Sequence, residues 1–443
     1  MAYERGGHPH RARAGRAMMS TPSRRAAIGQ MAAGSLAACA RPRGASVLTF
    51  WAMGREGEVA QSLMPAFEHA TGIKVEVQQL PWSAAHAKLL TTYAGGGLPD
   101  LCQIGNTWLP EFVALGAVER LDARVAVSRT VRAVDNFPGI WRTNILEGGL
   151  YGVPWYIDTR LMFYRPDLLA RAGYAELPMT WAGWLAAMQA VKRMQGPSRY
   201  AALLPLDEYE PLLTLALQHD EPLLRDGGGR GNFQSPGFKA ALNFYDQIFR
   251  LGLAPVAAAS EIGNLYDEFA RGFFSFYITG PWNLGEFRRR LPRAAQDLWM
   301  TSPMPGPVGP GASMAGGSSL VVFKDSPRKA AAWRLIEYLC APDVQRRFGD
   351  LTGDLPARRD AWTAPPLADD RKAAAFHHQL DRVRSPPQVP EWERIAAETQ
   401  IVAEQMVRGR LTVDQAAQEI DRRADRLLEK HRWMRARAIG AAR

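Results

Sequence analysis

The sequence predicts an α/β fold in two lobes, each a mainly parallel sheet flanked by helices, with the lobes joined by hinge crossings. Three observations predict it. From Val47 onward, short apolar runs alternate with helical periods, the pattern of βαβ units. A Gly152-Val153-Pro154 step interrupts that pattern, and strand and helix signals resume beyond it. The length of 443 residues suffices for more than one core.

Val47 to Trp51 reads as the first strand. Val59, Leu63 and Phe67 follow at helical spacing and Gly72 is placed to end that helix. Ile73, Val75 and Val77 alternate as a second strand, a helix runs through Ala84 to Tyr93, and Asp100 to Ile104 makes a third strand. In such sheets ligands gather beyond the carboxyl ends of the strands. Those ends carry Arg55 and Glu56, then Trp82, then Asn106 and Trp108. In YGVPWYIDTRLMFYRPDLL, from Tyr151, Trp155, Tyr156 and Asp158 follow the crossing at once, and Leu161 to Tyr164 reads as a strand buried on both faces. Aromatic faces and a carboxylate beside a hinge suit a cleft for a polyhydroxylated ligand.

Past the crossing, Thr180 is placed to cap one helix and Ser235-Pro236 to start another, with Gly252 near its far end. FARGFFSFYITGPWNL then gives a helix end, an apolar strand and Trp282 directly beyond it. Pro303 to Gly311, with four Pro and three Gly, is a loop. Gly316, Gly317, Ser318 and Ser319 precede a strand from Leu320 to Phe323, and a helix spans Pro327 to Leu339. Polar helical spacing continues from about Ala361, and Gly227 to Gly231 reads as a flexible surface loop.

Apolar residues at 47% and charged ones at 22% are globular values. The formal charge of +10 is confined to the ends: residues 1–38 carry +5 and residues 422–443 carry +6, leaving −1 for 39–421. That distribution argues against nucleic acid as a partner, and the tail reads as an exposed helix or frayed terminus, with attraction to anionic lipid headgroups as the weaker alternative. Ser23-Arg24-Arg25, an Ala-rich apolar stretch and Leu36-Ala37-Ala38-Cys39 read as a secretory leader, the alternative being an Ala-rich helix that stays on the protein. The last four residues resemble a bacterial lipobox, which implies cleavage after residue 38 and lipid on Cys39. The arginine pair resembles a twin-arginine leader, leaving the export route open. Seventeen residues precede Met18, more than the leader needs, so Met18 or Met19 is the expected start. Cys102 and Cys340 have no Cys-x-x-Cys partner and are expected to be buried free thiols.

GLPDLCQIGNTWLPEF, the Tyr151 segment and Gly280-Pro281-Trp282 together resemble the extracellular solute-binding proteins of ABC sugar transporters, over about Val47 to Gly409. The resemblance implies a periplasmic-binding-protein fold with discontinuous lobes: 46–153 with 318–356, and 157–315 with 361–436. The crossings would be Gly152-Val153-Pro154, Gly316 to Ser319, and Thr352 to Ala357. It implies a monomeric receptor, at the periplasmic or cell surface, that closes on a di- or oligosaccharide and delivers it to a membrane permease with separate ATPase subunits. Trp282 would stack on sugar, with Arg55, Glu56, Trp82, Asn106, Trp108, Trp155, Tyr156, Asp158, Gly317 and Ser318 completing the site. No phosphate-cradling loop, zinc-protease motif or nucleophile elbow occurs, so no cofactor, metal or catalytic residue is expected. Two alternatives stay open: a cell-envelope glycoside hydrolase using Glu56 and Asp158, or the same fold holding a glycerophosphate or polyol through Arg55 and Arg160.

Overall fold

The computed structural model describes residues 47–441, so the leader and Cys39 lie outside the described residues. The chain first builds β1 (Leu48–Met53), α1 (Gly54–Thr71), β2 (Val75–Leu80), α2 (Trp82–Ala94), β3 (Leu101–Gly105) and α3 (Leu109–Ala114). Gly72 ends α1 at φ 72°, in the left-handed conformation that only glycine adopts freely. After β4 (Val153–Ile157) the chain leaves this sheet and builds a second from β5 (Leu161–Tyr164), β6 (Ala202–Leu203), β7 (Phe276–Thr279) and β8 (Met300–Ser302). It then returns with β9 (Gly317–Val322) and β10 (Leu355–Pro356). The strand orders are β10-β4-β9-β3-β1-β2 and β8-β5-β7-β6.

The two-lobed α/β architecture is the one expected, but both sheets are mixed rather than mainly parallel. β1 runs parallel to β2 and β3, whereas β9 is antiparallel to β3 and β4, and β10 to β4. In the second sheet β5 opposes both β7 and β8, and only β6 and β7 are parallel. The reason is geometric. Strands that end at the cleft hand the chain across it, so the next strand enters from the edge at which its neighbours finish and must run the other way.

The first crossing also lies later than expected. Val153 to Ile157 is a fully buried strand, and the passage between sheets is Asp158 to Arg160. Pro154 is tolerated inside β4 because the pairing to β9 slips there, with the irregularity between Ser318 and Ser319. Gly152 serves packing instead of bending, since a Cβ would meet Asn144 Oδ1 at 2.4 Å. The return passage, at Ala315-Gly316, runs against the first: Asp158 N donates to Gly316 O at 2.9 Å, and a Cβ on Gly316 would stand 2.0 Å from Asp158 O.

Among the larger helices, α4 (Trp181–Gln195) is capped by Thr180 and α5 (Pro236–Arg250) by Ser235, as the sequence indicates. α6 (Trp282–Arg290) follows β7, while α7 (Lys329–Leu339) and α8 (Pro342–Thr352) belong to the first lobe. One face of the first sheet packs Phe50, Trp155, Leu320, Trp333 and Phe348 together, and the other packs Met53, Ile104, Trp108 and Phe112. Cys102 and Cys340 are buried free thiols, one in each of these layers. The second lobe has its own core around Phe163, Trp184, Phe276, Phe287, Trp299 and Trp392. The lobes meet backbone to backbone where Gly353, at φ 92° after α8, faces Gly285 of α6: a Cβ on Gly353 would lie 2.6 Å from Gly285 Cα.

Because the crossings touch at Gly316, Gly316→Ala should destabilise the protein by about 1–3 kcal/mol, the usual cost of overpacking. Differential scanning calorimetry should show a lower unfolding midpoint, and an unchanged midpoint would mean the crossings separate without cost.

Candidate functional site

The strand ends and crossings enclose a cavity of about 470 Å³ between the lobes. Ten of the eleven residues singled out from the sequence line it: Arg55, Glu56, Trp82, Asn106, Trp108, Tyr156, Asp158, Trp282, Gly317 and Ser318.

On the first-lobe side the arrangement starts with Gly54, whose φ of 53° turns β1 directly into α1. Glu56 therefore falls in the first helical turn, where the helix dipole favours a carboxylate. Its Oε1 accepts from the Tyr156 hydroxyl at 3.0 Å. That hydroxyl accepts in turn from Gln103 Nε2 at 2.8 Å, which also reaches Ser318 Oγ at 3.1 Å. Gln103 Oε1 is held by Met53 N at 2.8 Å. A buried relay across four strands thus fixes the phenol and the carboxylate. Burial raises the Glu56 pKa, partly offset by hydrogen bonds including those of Tyr156 and Trp82. Trp82 is 37% exposed and meets Trp108 edge-on, with ring centroids 5.5 Å apart. It is the accessible indole on this side, since Trp108 is buried behind it between Trp82 and His86. His86 itself pairs with Glu111 at 2.9 Å.

The crossings contribute the charged floor. Arg160, nearly buried, lies 3.2 Å from Asp158 Oδ1, 2.9 Å from Glu210 Oε1 and 3.9 Å from Glu208 Oε2. Its guanidinium covers one face of half-buried Trp282, 4.5 Å from the ring centroid. One indole face is therefore occupied by a cation. Burial works against the Arg160 charge, but Asp158, Glu210 and Glu208 more than offset it and raise its pKa. Asp354, 3% exposed, has no nearby cation bonded to it and an Oδ1 without a partner. Burial, followed by the charge of Glu56, pushes its pKa well up. Glu393, in the first turn of α9 (Trp392–Val407), is also raised by burial and faces Thr107 across the cleft.

Three expectations change. Trp155 is no ligand platform: its side chain is fully buried, stacked on Phe348 with centroids 4.4 Å apart and edge-on to Phe50 at 6.0 Å. In a strand covered on both faces, its place next to the crossing in sequence does not bring it to the cleft. Asn106 braces the return crossing, both amide hydrogens being committed to Thr143 Oγ1 at 3.1 Å and Ala315 O at 2.9 Å. Gly317 is required by packing as well, since a Cβ would stand 2.7 Å from Tyr156 O. Sequence reasoning missed Tyr209, Glu210, Asp354 and Glu393. Asp354 lies inside the crossing read as Thr352 to Ala357 and was findable there; Glu393 reaches the site from the far end of the chain and gave no local signal.

Among the described residues no cluster of three or more His, Cys, Asp or Glu could hold a metal. A two-lobed fold with the cavity at its crossings is the frame of a binding protein, and comparison with known sequences agrees. The family model for bacterial extracellular solute-binding proteins matches residues 53–346. The chain belongs to this family. It is a solute-binding protein of the ABC sugar-transporter type. The sugar-binding protein MalE of Xanthomonas citri is 51% identical, with a TM-score of 0.84 over 88% of this chain and 99% of that one. A solute-binding protein of Thermotoga lettingae solved with α-D-tagatose is 25% identical, with a TM-score of 0.77 over 86% and 99%. An uncharacterized lipoprotein of Streptomyces antibioticus is 28% identical over 340 residues, 72% of this chain and 73% of its own.

The two tryptophans should separate cleanly. Trp155→Ala should cost about 3–5 kcal/mol of stability, as large core truncations do, whereas Trp282→Ala should leave chemical denaturation largely unaltered. A second expectation follows from Glu208, whose pKa is pushed up to about 7 by burial against the opposing pull of Arg160. The folded state then holds a proton that the unfolded state, with the ordinary value of 4.5, has released. This group's contribution to stability is complete below pH 4.5 and is lost as pH rises to about 7. Glu208→Gln should flatten that part of the pH–stability curve, read by thermal unfolding across the window.

Proposed function

We propose that this chain is the receptor of an ABC importer, binding a di- or oligosaccharide in the interlobe cavity and delivering it to a membrane permease. The observation that carries the reading is one cavity lined by an indole from each lobe, exposed Trp82 and half-buried Trp282, together with carboxyls. Sugar rings present apolar C–H faces to such indoles, and hydroxyl rims to carboxylates such as Glu56, Asp158 and Asp354. Export with lipid on Cys39 fits the leader sequence and the lipoprotein relative. No helix among the described residues is long and apolar enough to cross a membrane, so the permease and its ATPase belong to other chains. The receptor acts as a monomer and leaves its sugar unchanged. The crossings at Asp158–Arg160, Ala315-Gly316 and Gly353–Pro356 concentrate the backbone that must rotate for the lobes to close.

Isothermal titration against mono-, di- and trisaccharides should identify a ligand, and Trp282→Ala should weaken it by about 1–3 kcal/mol. X-ray scattering with that sugar should show a smaller radius of gyration, with the sugar recovered intact after long incubation. Turnover dependent on Glu56 or Asp158 would instead make the protein a glycosidase.

A further inference from the structure

The positive charge of this chain collects where the cleft does not use it. After α10 (Val413–Leu427), the helix α11 (Glu429–Ala441) runs along the second lobe. One side of it is tied down. His431 Nδ1 lies 3.4 Å from Glu391, Arg432 donates to Gly229 O at 2.9 Å, and Arg435 to Asp226 O at 3.5 Å. Asp226 and Gly229 lie in the turn of a short hairpin, Leu224–Arg225 with Arg230–Gly231, which carries the glycine segment read from the sequence as a surface loop. Asp425 fastens it through Gly231 N at 2.9 Å.

The other side of α11 faces water. Lys430, Trp433, Met434 and Arg437 fall three, four and seven residues apart, which places them in one stripe, and all four are exposed. Trp433 is 57% and Met434 55% exposed, and the Arg437 guanidinium sits 4.5 Å from the Trp433 ring centroid. Adjacent apolar side chains left in solvent between cations match a membrane interface. There Trp settles at headgroup depth, Met finds acyl chain, and Lys and Arg reach anionic headgroups along their apolar stems. A nucleic-acid track would need the cations to continue along a groove, but residues 39–421 carry a formal charge of only −1.

We propose that the stripe Lys430, Trp433, Met434 and Arg437 docks the second lobe on an anionic lipid surface. The chain carries a first membrane signal at Leu36-Ala37-Ala38-Cys39, and a basic patch adds to a lipid anchor as a second contact. A tether at the N-terminal end leaves the body free to tumble; contact through α11 fixes which way the protein faces. This inference is independent of which solute the cleft holds.

The test uses the full chain with Cys39→Ser, which cannot be acylated, sedimented with vesicles of phosphatidylcholine alone or mixed equally with phosphatidylglycerol. The parent should bind the anionic vesicles about tenfold or more tighter than the neutral ones, at roughly 1 kcal/mol for each basic residue near the surface. Combined Lys430→Glu, Trp433→Ala, Met434→Ala and Arg437→Glu substitution should abolish the difference while leaving circular dichroism and solute affinity unchanged. Lys430→Glu with Arg437→Glu alone should remove the part of binding that salt weakens. Equal binding of parent and variant to anionic vesicles would overturn the proposal. So would equal binding of the parent to both vesicle types, or binding to duplex DNA without binding to vesicles.

Discussion

The constraint on which the rest depends is the contact between two crossing segments. Asp158 and Gly316 share a backbone hydrogen bond at a separation that no side chain on Gly316 would permit. Because the crossings run side by side, β5 and β9 enter their sheets from the cleft edge, and the sheets become mixed. The same contact carries Asp158 and Arg160 to the floor of the cavity, and Asn106 clamps it from the end of β3 by binding Ala315 O. Binding chemistry and chain topology are therefore consequences of one local packing arrangement.

Charge in the cavity is divided unevenly. Asp158, Glu208 and Glu210 surround Arg160, so three carboxyls share one cation. Burial, then the charge of Glu56, raises the Asp354 pKa, and neither carboxyl has a cation bonded to it; Tyr156 and Trp82 are donors to Glu56, and Thr352 to Asp354. Buried acceptors in that condition gain most from a ligand that brings hydroxyl donors, because the alternative is an unsatisfied carboxylate or an extra proton. The Arg160 donors already face protein carboxylates, and its plane lies on Trp282.

Much of this was legible in the sequence because local rules dominated there. Gly72, Thr180 and Ser235 end or start their helices as their side chains require. Strand ends at Glu56, Trp82, Asn106 and Trp108 pointed to one edge because strands alternating with helices leave little choice of direction. Trp155 was misread because a residue next to a crossing in sequence can still face a core, and only the position of Phe348, far along the chain, decides which. Glu210 and Glu393 were invisible for the same reason: nothing near them in sequence records the neighbour that makes them part of the site. Strand direction in the sheets was lost because periodicity reports burial and is silent about which way a strand runs.

The facing glycines at 285 and 353 have a mechanical consequence. Helices that pack through side chains interlock, and turning one against the other means lifting ridges out of grooves from one register to the next. Two bare stretches of backbone offer no teeth to disengage. At that point the lobes bear on each other through backbone, spanned by Arg289 Nη1 donating to Thr352 O at 3.4 Å, so turning one against the other there disturbs a hydrogen bond and no interlocked ridges.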